Sequence, residues 1–167
     1  MYDESKRFAE SAVHAYVQTH GITGNIARIF NTYGPNMQIN DGRVVTNFIY
    51  QALHENDITI YGKGEQTRSF SYIEDTVNGI LKIMTNSNSD VFNVGNDNEI
   101  SIKYLAEKIL ELTNSNSKII YKDLPKDDPK QRKPDLTKIK NKFDYEPMFS
   151  LEEGLKITIN WVQKNYK

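Results

Sequence analysis

Tyr2 and Lys6 stand four residues apart in the opening stretch MYDESKRFAE. At i and i+4 they share one face of a helix. A phenol beside an ammonium can move a proton, because the positive charge favours phenolate and lowers the Tyr pKa toward working pH. Ala9, Val13 and Val17 continue the same stripe, which is expected to pack on a core. By itself the Y-x-x-x-K pattern is also satisfied by an ordinary helix start.

Other residues with chemical potential are scattered along the chain. Asn31 and Thr32 follow the apolar run ARIF, and strand C-termini in open α/β sheets face the ligand crevice. The same residues also suit a turn built on Asn, Gly34 and Pro35. Arg43 precedes a helical pattern, where a guanidinium and a helix N-terminus can serve an anion together; a solvated Arg is the other reading. Arg68 follows a turn containing glycine, and Arg132 lies in DPKQRKP, a charged surface linker by composition.

The elements that must position these residues are short and mixed. Residues 2–20 read as a helix closed by Gly21, NIARIF as a buried strand, and NTYGPN as a loop. GRVVTNFIYQALHEN is an amphipathic helix with Val45, Ile49 and Leu53 on one face. DITIYGKGEQTRSFSYI gives two short strands around a Gly-Lys-Gly turn. A helix starting at Glu74 and Asp75 turns Val77, Ile80, Leu81 and Met84 inward. DVFNVGN is a strand, Ser101 caps a helix through Thr113, and SKIIYKDL is a strand. A loop rich in Pro and charge follows, then a short helix near 136–143. Ser150 and Glu153 form a capping box for a last helix carrying Leu151, Leu155, Ile159 and Val162.

The 167 residues carry 21 basic and 22 acidic side chains, a net charge of −1, which gives no global pull toward nucleic acid or an anionic membrane. The absence of cysteine excludes disulfides, thiol catalysis and Cys-ligated zinc and fits a reducing compartment; a cytoplasmic location is expected. His14, His20 and His54 have no metal-ligand spacing and read as surface residues, so no metal is expected. No apolar run reaches the roughly 20 residues of a membrane span, and no signal peptide is visible.

YDESKRFAE, ARIFNTYGPNM, NDGRVVTNFI, IYGKGEQTRSFSYIEDT, FNVGN, DDPKQRKPDLTKIK and EPMFSLEEGL occur in that order. Together they resemble the C-terminal half of extended short-chain dehydrogenases/reductases acting on nucleotide sugars, the NAD-dependent epimerase/dehydratase family. Within it the pattern looks like the UDP-glucuronate decarboxylases, or UDP-xylose synthases. The resemblance implies an α/β fold: the C-terminal portion of a Rossmann-type doubly wound sheet plus a small mixed substrate-binding lobe. Residues 1–35 and parts of 70–95 would be Rossmann-type elements, and about 36–69 and 96–167 mainly the nucleotide-sugar lobe.

The resemblance also implies roles. Tyr2 would be the catalytic base and Lys6 its partner, both touching NAD, with Thr32 and Arg43 also on the cofactor side. Asn31, Val45, Asn47, Phe48, Tyr61, Gln66, Arg68 and Arg132 would hold a UDP-sugar, Arg68 on its diphosphate. Arg132 would pair with the substrate carboxylate or act in protonation after carbon dioxide leaves; a bidentate guanidinium suits a carboxylate. A dimer is implied through the Tyr-bearing helix and the helix near Val44. Alternatives are a dTDP-glucose 4,6-dehydratase or UDP-sugar 4-epimerase, or a non-catalytic protein that binds a nucleotide sugar or a partner.

No G-x-G-x-x-G or P-loop pattern follows any strand in the sequence. The N-terminal dinucleotide-binding half of the resembled fold is therefore expected to be absent. The chain alone is expected to bind NAD weakly and to be inactive.

Overall fold

Helix α1 (Tyr2–His20) carries Asp3 and Glu4 in its first turn, where carboxylates suit the positive end of the helix dipole. It stops at Gly21, whose φ of +63° is a left-handed conformation that glycine adopts without a Cβ clash. The computed structural model describes residues 2–39, 41–123 and 131–166, with Tyr2 by its backbone alone. After α1 come β1 (Ile26–Ile29), β2 (Thr32–Tyr33), α2 (Val44–Leu53), β3 (Ile58–Tyr61), β4 (Thr67–Ser69), β5 (Ser71–Tyr72) and α3 (Ile73–Met84). The chain continues with β6 (Val91–Val94), β7 (Glu99–Ser101), α4 (Ile102–Thr113), β8 (Ile119–Lys122), β9 (Gln131–Arg132), α5 (Thr137–Phe143) and α6 (Leu151–Asn165).

Three pairs are parallel: β1 with β6, β2 with β5, and β3 with β8. The strands β7-β4-β9 form a small mixed sheet, antiparallel at β7 and parallel at β9. The expected α/β class with parallel pairing holds. The strands flanking the Gly-Lys-Gly turn do not pair with each other: β3 goes to β8 and β4 to β7 and β9. NTYGPN is not wholly a loop, because Thr32 and Tyr33 pair with Ser71 and Tyr72.

The larger core joins α2, α4 and α6 to β3 through Val45, Phe48, Ile49, Leu105, Ile109, Leu155 and Ile159. Ser101 caps α4 by accepting from the Tyr104 amide (3.1 Å). Ser150 and Glu153 close the capping box of α6, the Ser150 amide donating to Glu153 Oε2 at 2.9 Å. A smaller core lies under α3 and α5, made of Ile83, Phe92, Val94, Leu136, Ile139 and Tyr145.

Two expected faces are corrected. Ala9 and Val13 are exposed and Val17 half-buried, so the α1 stripe does not enter a core. Helix α1 is tied to the strands by the Glu10–Arg28 pair on β1, and its lower end rests on the following turn, with Val17 close over Gly24. In α3 it is not Val77, Leu81 and Met84 that turn inward; these are exposed, and Ile80 is half-buried. The buried face is Asp75, Thr76, Gly79 and Ile83. Gly79 sets it, because a Cβ there would stand 2.7 Å from Val94 and 3.1 Å from the Tyr145 ring. NIARIF likewise is a strand with an open end, since Arg28 and Ile29 are exposed.

Candidate functional site

The C-terminal ends of β1 and β3, the start of α2 and the β4–β9 pair surround an open cleft of about 1640 Å³. Lys6 reaches it from α1. That helix is tied to β1 by a bidentate pair in which Arg28 Nε and Nη2 donate to the Glu10 carboxylate, each at 2.6 Å. Asn31 and Thr32 enter at the end of β1, as the strand-end rule requires. The Asn31 carbonyl accepts from the Ser71 amide at 2.9 Å, which fixes its backbone. The Thr32 hydroxyl lies 3.0 Å from the Thr76 hydroxyl, which in turn donates to Ser71 Oγ at 3.1 Å.

Arg43 occupies the N-cap position of α2. Its amide donates to Asp41 Oδ1 at 3.0 Å and its Nε lies 3.3 Å from Asp41 Oδ2, so Asp41 organises both the helix start and the guanidinium. The next turn presents Val45, Asn47 and Phe48 to the cleft, the two apolar ones buried. Tyr61 ends β3, half-exposed, and Gln66 Nε2 donates to its carbonyl at 2.8 Å across the Gly62–Gly64 turn.

Arg68 and Arg132 are register partners on β4 and β9 and line the same cleft. Arg68 is only 7% exposed, which puts a guanidinium in the wall itself, and its Nη1 donates to the Thr67 carbonyl at 2.8 Å. Arg132 is exposed. The structure thus brings Lys6, Asn31, Thr32, Arg43, Val45 and Asn47 to one cleft with Phe48, Tyr61, Gln66, Arg68 and Arg132. The side chain of Tyr2, and with it the effect of Lys6 on the phenol, lies outside the described residues. So do residues 127–130 of the DDPKQRKP segment.

The sign of the charge is the clearest chemical property of the cleft. Lys6, Arg43, Arg68, Lys122 and Arg132 line it, against Asp3 and the Glu10 already paired with Arg28. Fixed cations of this kind, with hydroxyl and amide donors beside them, suit a phosphorylated or carboxylated ligand. No group of acidic or His side chains able to hold a metal occurs among the described residues. Among the described residues no helix is long and apolar enough to cross a membrane.

Sequence reasoning missed three residues, of which Lys122 lines the cleft and Asp75 and Thr76 act from α3. Lys122 ends β8, and the strand-end rule that found Asn31 would have found it. Asp75 is buried (2% exposed) and accepts from the amides of Met148 (2.8 Å) and Phe149 (3.2 Å), so its carboxylate ties α3 to the 148–149 segment. Thr76 backs Thr32. Asp75 and Thr76 look from sequence like a helix start, and their partners lie far along the chain. Two buried tyrosines, Tyr33 in the cleft lining and Tyr145 in the smaller core, are kept as phenols. Burial raises the Tyr33 pKa well above its usual range and pushes Tyr145 up to about 12.

Residues 1–95 match the family described as the NAD dependent epimerase/dehydratase family. The chain is 47% identical over 163 residues to UDP-glucuronic acid decarboxylase 1 of Xenopus tropicalis, covering 98% of this chain and 39% of that protein. Its fold matches the UDP-glucose 4-epimerase of Thermotoga maritima, solved with UDP-glucose, at a TM-score of 0.95 and 30% identity, over 99% of this chain and 54% of the other. It also matches the UDP-glucuronic acid 4-epimerase of Bacillus cereus, solved with UDP-glucuronic acid and NAD, at a TM-score of 0.87 and 26% identity, over 94% of this chain and 50% of the other. The chain thus spans about two fifths of the curated relative and about half of each structural neighbour.

Proposed function

The chain belongs to the NAD dependent epimerase/dehydratase family, and from that premise we propose that it carries the nucleotide-sugar side of a UDP-glucuronate decarboxylase. The observation that carries the reading is the Arg68–Arg132 pair, one guanidinium in the wall and one at the lip of a cleft lined by cations. UDP-glucuronate has two kinds of anion, a diphosphate and a sugar carboxylate, and each needs fixed positive charge. In this reading Arg68 holds the diphosphate. Val45, Phe48, Tyr61 and Gln66 flank the uridine, with Asn47 beside them. Asn31 orients the sugar, and Arg132 pairs with the carboxylate.

The chemistry follows from the substrate. A ketone at C4 lies β to the carboxylate carried by C5, so its carbonyl takes up the electron pair when carbon dioxide leaves. A proton then returns to C5. Tyr2 takes the proton of the 4-hydroxyl and gives it back, and Lys6 favours the phenolate form. NAD, when bound, supplies the hydride acceptor and donor at C4. Lys6, Thr32 and Arg43 offer a cation, a hydroxyl and a second cation on one cleft, a donor set that fits a ribose and a phosphate. The usual pyrophosphate cradle is a Gly-rich loop at a helix N-terminus, a pattern these 167 residues do not contain. We therefore expect weak NAD binding and no turnover from these residues alone. A homodimer through α1 belongs to the same reading, because Phe8 and Tyr16 stand 75% and 60% exposed along that helix.

Calorimetry with UDP-glucuronate, UDP and NAD, beside a carbon dioxide assay, tests the proposal. Arg132→Ala should weaken UDP-glucuronate roughly ten- to a hundredfold more than UDP, the worth of about 1.5–3 kcal/mol for a charged hydrogen bond. Equal losses would move Arg132 to the phosphates or to the fold, and micromolar NAD binding by these residues would overturn the division of labour. A 4-epimerase is the second reading, favoured by the names of the two structural neighbours. In the complete enzyme it predicts an epimeric UDP-hexuronic acid and no carbon dioxide.

A further inference from the structure

Arg132 sits on a strand of two residues, β9, whose only partner among the described strands is β4. Two residues of parallel pairing give few backbone hydrogen bonds, so such a strand needs a second hold to keep its register. Side chains alternate across a strand, and Arg68 opposite Arg132 presents both guanidiniums on one face. The other face carries Thr67 opposite Gln131, with Glu99 reaching over from β7. There the Glu99 carboxylate gathers all three strands. Oε1 accepts from Thr67 Oγ1 at 2.8 Å and from Gln131 Nε2 at 2.9 Å, and Oε2 accepts from Gln131 Nε2 at 2.8 Å. Lys133 Nζ lies 3.9 Å from Oε2, one residue past the strand.

We propose that Glu99 is a positioning residue: by binding Thr67 on β4 and Gln131 on β9, it locks the short strand in register and thereby sets Arg132 beside Arg68 on the cleft wall. Glu99 does not line the cleft, so it acts only through the strand it holds. A slip of one residue would turn Arg132 to the Glu99 side and put Gln131 or Lys133 in its place. The effect on ligand binding rests on the functional reading given above, whereas the hold on β9 does not.

The experiment has two arms. Amide hydrogen exchange of Glu99→Ala should rise about tenfold or more at Gln131 and Arg132 and stay unchanged in α4, as local opening does when its hold is removed. Glu99→Gln keeps one carbonyl oxygen and should recover most of the protection. Calorimetry with UDP-glucuronate should give a roughly tenfold weaker complex for Glu99→Ala, and Arg132→Ala should then cost little more in that background, as expected for coupled sites. Unchanged exchange at β9 would overturn the proposal. So would faster exchange with Arg132→Ala still costing its full loss in the Glu99→Ala background. An unaltered chain that fails to bind UDP-glucuronate would count against the decarboxylase reading alone, and the exchange arm would still decide the role of Glu99.

Discussion

The lobe around α2, α4 and α6 and the region around α1, β1 and β6 are built from the same kinds of element but are held in different ways. In the lobe, helices cover β3 and bury side chains completely, Ile49, Ile58, Leu105 and Ile109 among them. In the other region, β1 pairs only with β6 among the described strands, and none of the described residues of α1 is buried. What fixes α1 is local: the Gly21 cap, Val17 over Gly24, and the Glu10–Arg28 pair. Most of the binding residues proposed above stand on the well-packed lobe, whereas the proposed proton-transfer pair stands on the lightly held helix. Within these 167 residues, packing is thus unequally shared between the two regions.

The sharpest test of that inequality is a matched pair of truncations. Leu105→Ala empties a fully buried site in the lobe and should cost about 2–5 kcal/mol, the usual range for Leu→Ala in a core. Phe8→Ala removes a larger side chain from α1, where it is 75% exposed, and at a dilution that keeps the chain monomeric should change stability by less than about 0.5 kcal/mol. Urea unfolding of both variants measures the difference. Similar losses would mean that α1 is packed far more firmly than its exposure implies.

The same contrast explains what could be read from the sequence. Helices of the lobe were legible because their apolar period matches what they bury: Val45, Ile49 and Leu53 in α2, and Leu155, Ile159 and Val162 in α6. Their caps were legible because Ser101 and Ser150 act on residues three positions away. The reading failed where apolar periodicity is not satisfied by burial. The stripes of α1 and α3 obey the helical period, yet Val13, Val77, Leu81 and Met84 remain exposed among the described contacts. Periodicity specifies that a face is apolar, and only tertiary contacts decide whether it is covered. The cleft residues were placed through the resemblance and the strand-end rule. Asp75, Thr76 and Glu99 escaped both, because the partners that define them are distant in sequence.

Asp75 offers a test of intermediate size at the seam between the two regions. It starts α3, which covers the smaller core, and binds the Met148 and Phe149 amides just before α6 of the lobe. Asp75→Asn keeps one acceptor and turns an NH2 toward a backbone N–H. The variant should lose about 1–3 kcal/mol, the cost of leaving a buried donor unsatisfied. If the seam matters, hydrogen exchange should speed up at 148–149 and in α3 while the centre of α4 changes only with global stability. A loss confined to α3 would mean that the two regions are not joined at this point.

The smallest effect concerns the tie that holds α1. Arg28 donates two hydrogen bonds to Glu10, and these hold the Glu10 carboxyl below its usual pKa despite the opposing effect of burial. The Arg28 guanidinium is correspondingly favoured in its charged form, its side chain bonding Glu10. A carboxyl whose folded pKa is lowered contributes stability that is present above the unfolded value of about 4.3 and disappears as pH falls through the lowered one. Acidification across that window should therefore loosen α1. Asp90 and Glu99 are held down in the same direction, Asp90 first by Lys138 and Glu99 first by Thr67, so acid alone would not isolate the α1 tie. Arg28→Met at neutral pH does. With the two side chains 54% and 26% exposed, solvent screening keeps the pair within about 1 kcal/mol. The expected signature is faster amide exchange along α1, most of all near Glu10, with no change in α4 and almost none in the urea midpoint. A midpoint shift as large as that of Asp75→Asn would mean that the Arg28–Glu10 pair supports the whole fold, and that α1 is not the separately held part on which the comparison depends.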